Sequence, residues 1–209
     1  MPDATAVACA VPFAADATQI VRPTMHHVNL KTTRLQEMID WYGIVIGARP
    51  NFQADVIAFL TNDDANHRIA LTGLPGLADD DDKIVHTGMH HSAFEYDSLD
   101  ALLASFLRLR NEGIVPSACL DHGLTMSFYY VDPDGNMVEL QADNYGDWAK
   151  STEFLRTDER FVANPIGEFV DPEKLVEARR EGLSPTEVHD RAYGGEYPPS
   201  IPPDIRLPL

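Results

Sequence analysis

A chain of 209 residues with 44% hydrophobic and 23% charged side chains has the size and composition of one folded domain with an appendage. Its 33 acidic residues against 16 scattered basic ones leave a formal charge of −17, which argues against nucleic acid and anionic membrane surfaces as partners. Two cysteines, Cys9 and Cys119, are too few for a secreted disulfide framework and lack metal-site or redox spacing, so a reducing cytoplasm is the expected location.

Residues 1–22 read as an extension: the alanine-rich start carries Asp3 in place of a basic leader, and no apolar run approaches the length of a membrane span. Met25 to Lys31 then alternates like a strand. Arg34 to Gly43 places Leu35, Met38, Ile39 and Tyr42 at the spacing of an amphipathic helix. β-prone runs near 45–50, 55–61 and 67–72 complete a βαβββ module over about 23–75.

Gly73, Pro75, Gly76 and the acidic run Asp79 to Asp82 follow. The run lacks the alternating ligand spacing of an EF-hand and reads as a solvated linker. Beyond it the pattern restarts over about 86–143. His90 to Tyr96 is a strand, Ser98 to Glu112 is a helix with Leu99, Leu102, Leu103, Phe106 and Leu109 on one face, and strands are expected near 114–119, 124–131 and 137–142. His27 and His91, Leu35 and Leu99, and Ile39 and Leu103 are each 64 positions apart, the mark of an internal duplication. The fold class is therefore α+β, two tandem βαβββ modules forming one domain over 23–143. Residues 144–209 form a C-terminal extension, with helices expected over 147–162 and 171–182 and a Pro-rich end, wrapping over the domain or over a partner subunit. Exposed sheet edges and the aromatic residues of this tail predict a homo-oligomer.

Between the last two strands lies Asp132-Pro133-Asp134-Gly135-Asn136, a hairpin turn. If Val131 pairs with Met137, Tyr129 lies opposite Glu139, and directly opposed residues share one face. A buried carboxylate there is costly without a partner, and a metal is the obvious one. Strand alternation puts His27, Asn29 and Lys31 on one face and His26, Val28 and Leu30 on the other, with His91, Ala93 and Glu95 sharing a face in the second module. His27, His91 and Glu139 are then two imidazoles and a carboxylate from three strands, the donor set of a 2-His-1-carboxylate Fe(II) site. Aligning Ile69-Ala70-Leu71 with Val138-Glu139-Leu140 puts Ala70 where a fourth ligand would sit, leaving coordination positions open. His26 and His90 are expected not to be ligands.

His27-Val28-Asn29-Leu30, His91-Ser92-Ala93-Phe94-Glu95 and Tyr130 to Leu140 resemble the vicinal oxygen chelate superfamily, which includes glyoxalase I, bleomycin-resistance proteins and type I extradiol dioxygenases. Asn66-His67-Arg68-Ile69-Ala70-Leu71, Asp121-His122-Gly123 and Ser127-Phe128-Tyr129 resemble the extradiol ring-cleaving enzymes within it, in a single-domain form with two modules instead of four. The resemblance implies Fe(II), with Mn(II) also able to occupy such a site, bound by His27, His91 and Glu139. It further implies His67 as the acid–base residue, and His122 and Tyr129 as hydrogen-bonding groups on the substrate side. The implied reaction is O2-dependent cleavage of a catechol-type ring next to its diol, with simple and dihydroxybiphenyl-like catechols both open as substrates. The alternatives are a glyoxalase-type isomerase, against which Ala70 speaks, and a metal-free small-molecule binding protein, in which the three ligands would be surplus.

Overall fold

The computed structural model describes Ile20 and residues 22–208; most of the N-terminal extension, with Cys9 and the expected absence of a leader, lies outside the described residues. The first module runs β1 (Val28–Lys31), α1 (Leu35–Ile46), β2 (Arg49–Ala54), β3 (Ile57–Thr61) and β4 (Ile69–Thr72), with sheet order β1-β4-β3-β2. The second runs β5 (His91–Tyr96), α2 (Leu99–Asn111), β6 (Ala118–Asp121), β7 (Thr125–Val131) and β8 (Met137–Asp143), in a sheet ordered β5-β8-β7-β6-β9, where β9 (Glu168–Phe169) comes from the tail. In each module the first strand lies parallel to the last. Val28 opposite Ile69 in one repeats as Ser92 opposite Val138 in the other. Ala70 and Glu139 are therefore equivalent positions, as the sequence alignment of the repeat requires, and the fold is the expected α+β pair of βαβββ modules.

Helix α1 extends three residues past its expected end, and the strand expected at 45–50 starts only at Arg49. Ile44, Val45 and Ile46 look β-prone, but Val45 is fully buried and continues the helical face of Met38 and Tyr42; Gly47, at φ 67°, then stops the helix in a left-handed turn. Helix α2 keeps close to its expected bounds, with the Ser98 hydroxyl accepting from the Ala101 N–H. The first of the three strands expected after it, near 114–119, begins instead at Ala118, once Pro116 is past.

The buried faces of both helices meet both sheets in one cluster that includes Met38, Tyr42, Leu60, Leu71, Leu102, Leu109, Phe128 and Leu140. Full burial of each such side chain contributes roughly 1.5–3 kcal/mol. The hairpin turn is held from within: Asp132, 3% exposed, accepts from the backbone N–H of Asp134 (3.0 Å) and of Asn136 (2.8 Å), and Gly135 takes φ 79°. Val131 consequently pairs with Met137 and Tyr129 with Glu139, the register expected from sequence. Arg34 bridges the turn and the acidic linker, through Asp134 at 2.6 Å and through Asp79.

The tail folds back on its own chain. It contains α3 (Trp148–Thr157), α4 (Glu159–Ala163), α5 (Pro172–Arg180) and α6 (Pro185–Tyr193), whose N-caps are Asp147, Asp158, Asp171 and Ser184. The single helix expected over 147–162 is thus two, divided where Asp158 leaves helical geometry to cap the second, and α6 is an addition to the expected set. Val170, Leu175, Val176, Val188 and Ala192 join the main core. Among the described residues no helix is long and apolar enough to cross a membrane.

Candidate metal centre and substrate cleft

His91 opens β5 opposite Met137, and Glu139 stands two residues further along β8, so the pleat puts both side chains on one face. His91 Nε2 lies 3.0 Å from Glu139 Oε2. The Tyr129 hydroxyl, from the facing position on β7, donates to Glu139 Oε1 at 3.0 Å and lies 2.8 Å from His122 Nε2. His122 Nδ1 donates in turn to the carbonyl of Ile166 at 2.6 Å. Burial, and then the adjacent Glu139 carboxylate, push the Tyr129 phenol far up, so it stays protonated. Burial alone would raise the Glu139 carboxyl; hydrogen bonds from His91, Ser127 and Tyr129 more than offset it and hold it below the usual range.

The first module contributes a second group. His27 precedes β1, whose ladder begins at Val28 with a bond to the Arg68 carbonyl, and strand alternation therefore does not separate His26 from His27 as expected from sequence. Their Nδ1 atoms are 3.1 Å apart, and the His67 ring centroid is 4.3 Å from that of His27 and 5.2 Å from that of His26. A nitrogen from each of the three falls within 4.8 Å of the others. His26 thus joins the expected site residues; the signal for it was the doubled histidine, His26-His27 and His90-His91, repeated at the module offset. Partial burial, and then the charges of His27 and His26, lower the His67 pKa from its ordinary 6.5. His27 and His91 line one cleft of about 540 Å³, whose walls include Met25, Val28 and Phe94.

Of the three expected ligands the structure brings His91 and Glu139 together as a pair able to hold a divalent cation, while the His27 nitrogen groups with those of His26 and His67 and shares only the cleft with His91. A carboxylate oxygen and an imidazole nitrogen 3.0 Å apart have room for one cation to satisfy both, whether a proton or a metal. Donors about 2.1 Å from one ion in neighbouring octahedral positions would sit at about this separation. His91 and Glu139 are in that relation, and His27 reaches the same cleft from the other module.

The sequence profile described as Glyoxalase/Bleomycin resistance protein/Dioxygenase superfamily matches residues 24–140, more than half of the chain. The chain belongs to this superfamily. Two curated relatives come from Rhodococcus globerulus: Biphenyl-2,3-diol 1,2-dioxygenase 3, 38% identical over 173 residues, covering 83% of this chain and 90% of the relative, and Biphenyl-2,3-diol 1,2-dioxygenase 2, 36% identical over 180 residues, covering 86% and 94%. A glyoxalase/dioxygenase from Nostoc punctiforme, of known structure, is 20% identical, covers 60% of this chain and 97% of its own, and superposes with a TM-score of 0.49. The superfamily membership, and within it the resemblance to aromatic-diol dioxygenases, are thereby borne out. The likeness to the two relatives runs beyond the superfamily segment, since the aligned lengths exceed it.

Within this superfamily member the two modules are unequal at the site. Asn29 opposite Ala70 repeats Ala93 opposite Glu139, and Phe59 opposite Ala70 repeats Tyr129 opposite Glu139. The phenol–carboxylate pair of the second module is thus a phenyl–methyl pair in the first. The Phe59 ring lies against His67, with centroids 4.9 Å apart.

Proposed function

We propose that the protein is an Fe(II)-dependent extradiol dioxygenase acting on a catechol of the dihydroxybiphenyl kind, with His27, His91 and Glu139 as ligands, His67 as acid–base group, and His122 and Tyr129 on the substrate side. The observation that carries the reading is the unbroken line His91–Glu139–Tyr129–His122, beginning in the cleft that His27 also lines. The names of the two curated relatives support the substrate class: a 1,2-dioxygenase of a 2,3-diol opens the ring beside the diol. Mn(II) suits the same donors.

Bound iron would hold catecholate and O2 side by side and relieve the spin barrier between triplet oxygen and a closed-shell ring. The protein's own groups do the rest. Met25, Val28 and Phe94 offer apolar surface to an aromatic ring and exclude water from it. Tyr129, kept protonated, donates a hydrogen bond and keeps Glu139 ionised for the metal. His122, with Nδ1–H committed to Ile166, offers its Nε2 lone pair to a catechol hydroxyl. His67, whose lowered pKa favours the neutral ring at pH 7, can take up a proton and return it as the ring opens.

The pairing of Asn29 with Ala70 supports this reading over a glyoxalase-type isomerase, because the position equivalent to Glu139 offers a methyl group and no fourth ligand. A metal-free binding role leaves the 3.0 Å meeting of His91 and Glu139 without a purpose. We also propose a homo-oligomer, supported by β2, an edge strand exposed along its whole length with Phe52 half out in solvent.

Anaerobic loading with Fe(II), followed by air and a panel running from catechol to 2,3-dihydroxybiphenyl, tests the function. The expected result is one iron per chain, O2 uptake and the visible absorbance of a ring-opened semialdehyde. His91→Ala should lose stoichiometric iron. Iron-loaded protein that consumes no O2 with any of the diols would overturn the proposal.

A further inference from the structure

The imidazoles on the second-module side of the cleft are each oriented from behind, and the groups at the back are backbone carbonyls of the C-terminal extension. Ile166 O accepts from His122 Nδ1 at 2.6 Å. Ile205 O lies 2.8 Å from His90 Nε2, His90 Nδ1 lies 2.8 Å from His91 Nδ1, and His91 Nε2 faces Glu139. A carbonyl can only accept, so its partner nitrogen must carry the hydrogen. Proton accounting then fixes the two neutral rings that meet a carbonyl. Neutral His122 is the Nδ1–H tautomer, with its Nε2 lone pair facing the Tyr129 hydroxyl. Neutral His90 is the Nε2–H tautomer, so its Nδ1 accepts from His91 Nδ1–H, while His91 Nε2 faces the Glu139 carboxylate, an acceptor that needs a proton or a bound cation between the two.

Both carbonyls are held in place by features with no other evident use. Gly167, at φ 85°, lets the chain pass so close to the His122 loop that a Cβ would lie 2.0 Å from Asp121 O and 2.7 Å from His122 Cα. The Asn164 side chain closes the turn, with Nδ2 donating to Gly167 O at 2.9 Å and Oδ1 accepting from Gly167 N at 3.2 Å, and β9 continues onto the edge of β6. At the other contact, Asp204 N donates to Ser117 O at 2.9 Å, and Ile205 packs beside Tyr129 and Met137. Arg206 follows at φ 53°, the one non-glycine residue with positive φ among the described residues. A left-handed arginine costs about 1–2 kcal/mol, which other contacts must offset.

We propose that the C-terminal extension is a working part of the active site: through the carbonyls of Ile166 and Ile205 it selects the tautomers of His122 and His90, and through His90 it keeps a hydrogen on His91 Nδ1. Ile166, Gly167, Ile205 and His90 are positioning residues. The inference rests on the functional reading above for what these nitrogens do, but not for which of them carry hydrogen.

Long-range ¹H–¹⁵N spectra of the histidine rings in the full-length, metal-free protein read the tautomers directly, with assignments from single His→Gln variants. The expected pattern is Nδ1–H for His122, Nε2–H for His90 and a hydrogen on Nδ1 of His91. Gly167→Ala must push the tail off the His122 loop, and the His122 signals should move towards the Nε2–H form while iron stoichiometry is kept and anaerobic catechol binding weakens. At the second contact, His90→Phe removes the acceptor for His91 Nδ1–H, and Mn(II) affinity should fall about 10–100-fold, the usual effect of losing such a partner. His90→Gln, which can accept from His91 and donate to Ile205, should restore most of it. Opposite tautomers in the parent protein, or a His90→Phe protein that binds Mn(II) as the parent does while unfolding at the same temperature, would overturn the inference. A parent with the expected tautomers that binds no iron would instead overturn the functional reading and leave the positioning role standing.

Discussion

Removing the imidazole of His189 should cost about 3–4 kcal/mol of stability, because it hydrogen-bonds α6 to the loop bearing His122. Asp121 is fully buried, and its two oxygens divide the work. Oδ1 accepts from Gly123 N (2.8 Å) and Asn144 Nδ2 (3.0 Å), while Oδ2 accepts from His189 Nδ1 at 2.7 Å. In His189→Ala the second oxygen keeps no donor among the described residues, and a hydrogen bond to a charged group is worth about 1.5–3 kcal/mol. The ring also fills space between Tyr145 and Tyr193, at 5.9 Å from each centroid, so a cavity adds about 1 kcal/mol or more. At about 2–4 °C per kcal/mol for a chain of this size, the thermal midpoint should drop by about 6–16 °C. His189→Asn, whose amide nitrogen can stand near the position of Nδ1, should recover over half of the loss. In a double-mutant cycle with Asp121→Asn the two changes should couple by at least about 1 kcal/mol, since each removes the same bond. Chemical denaturation measures all four proteins. A His189→Ala protein within about 0.5 kcal/mol of the parent, or strictly additive changes, would refute the link between tail and loop.

His67→Gln should keep iron and catechol binding while turnover falls about 10²–10⁴-fold, the usual contribution of a general acid–base group; anaerobic binding and single-turnover rates separate the two, and parental turnover would remove His67 from the mechanism. Asp63, held to about 2 by Arg68, the Ala65 N–H and Thr61, and Asp158, held to about 2 chiefly by Arg160, both sit below the ordinary 3.8. A depressed carboxylate stabilises the fold above its unfolded value, and that stabilisation is lost as pH falls from 3.8 towards about 2. The midpoint of the parent should therefore fall across this window, and that of Asp158→Asn should fall less steeply; parallel curves would count against the assignment.

The second-module half of the site was legible because each step had a local cause. A Pro-Asp-Gly-Asn turn between two β-prone runs has few registers, and the one that pairs Val131 with Met137 places Tyr129 against Glu139 without reference to the rest of the chain. The helix end was misread because Ile44-Val45-Ile46 carries a strand's composition, and only the buried face that Val45 shares with Met38 and Tyr42 decides for helix. Helix α6 had a readable start in Ser184-Pro185-Thr186-Glu187, which forms a capping box. The contacts of Ile166 and Ile205 had no such signal. Every residue has a carbonyl, and where it points is a property of the packed tail; Gly167 was a hint of close approach without an address.

The duplication allows one more test, which asks why the site is one-sided. Ala70 is 1% exposed, with Asn29 and Phe59 as its ladder partners, where Glu139 has Ala93 and Tyr129. A carboxylate introduced by Ala70→Glu would have Phe59 in place of a phenol donor, and no neighbour equivalent to His91 Nε2, since the rings of the first module cluster around His67. Burying it without partners should cost about 2–5 kcal/mol in the metal-free protein. Adding Phe59→Tyr supplies one donor and should return about 1 kcal/mol. If Ala70 shares the cleft as its register implies, saturating Mn(II) should stabilise Ala70→Glu more than the parent, because a fourth oxygen then reaches the ion, while catechol binding to the metal-loaded variant weakens as an open position closes. An Ala70→Glu protein as stable as the parent without metal, and shifted no further by it, would show that the first-module sheet turns this position away from the centre, and the argument from Ala70 for open coordination would fall.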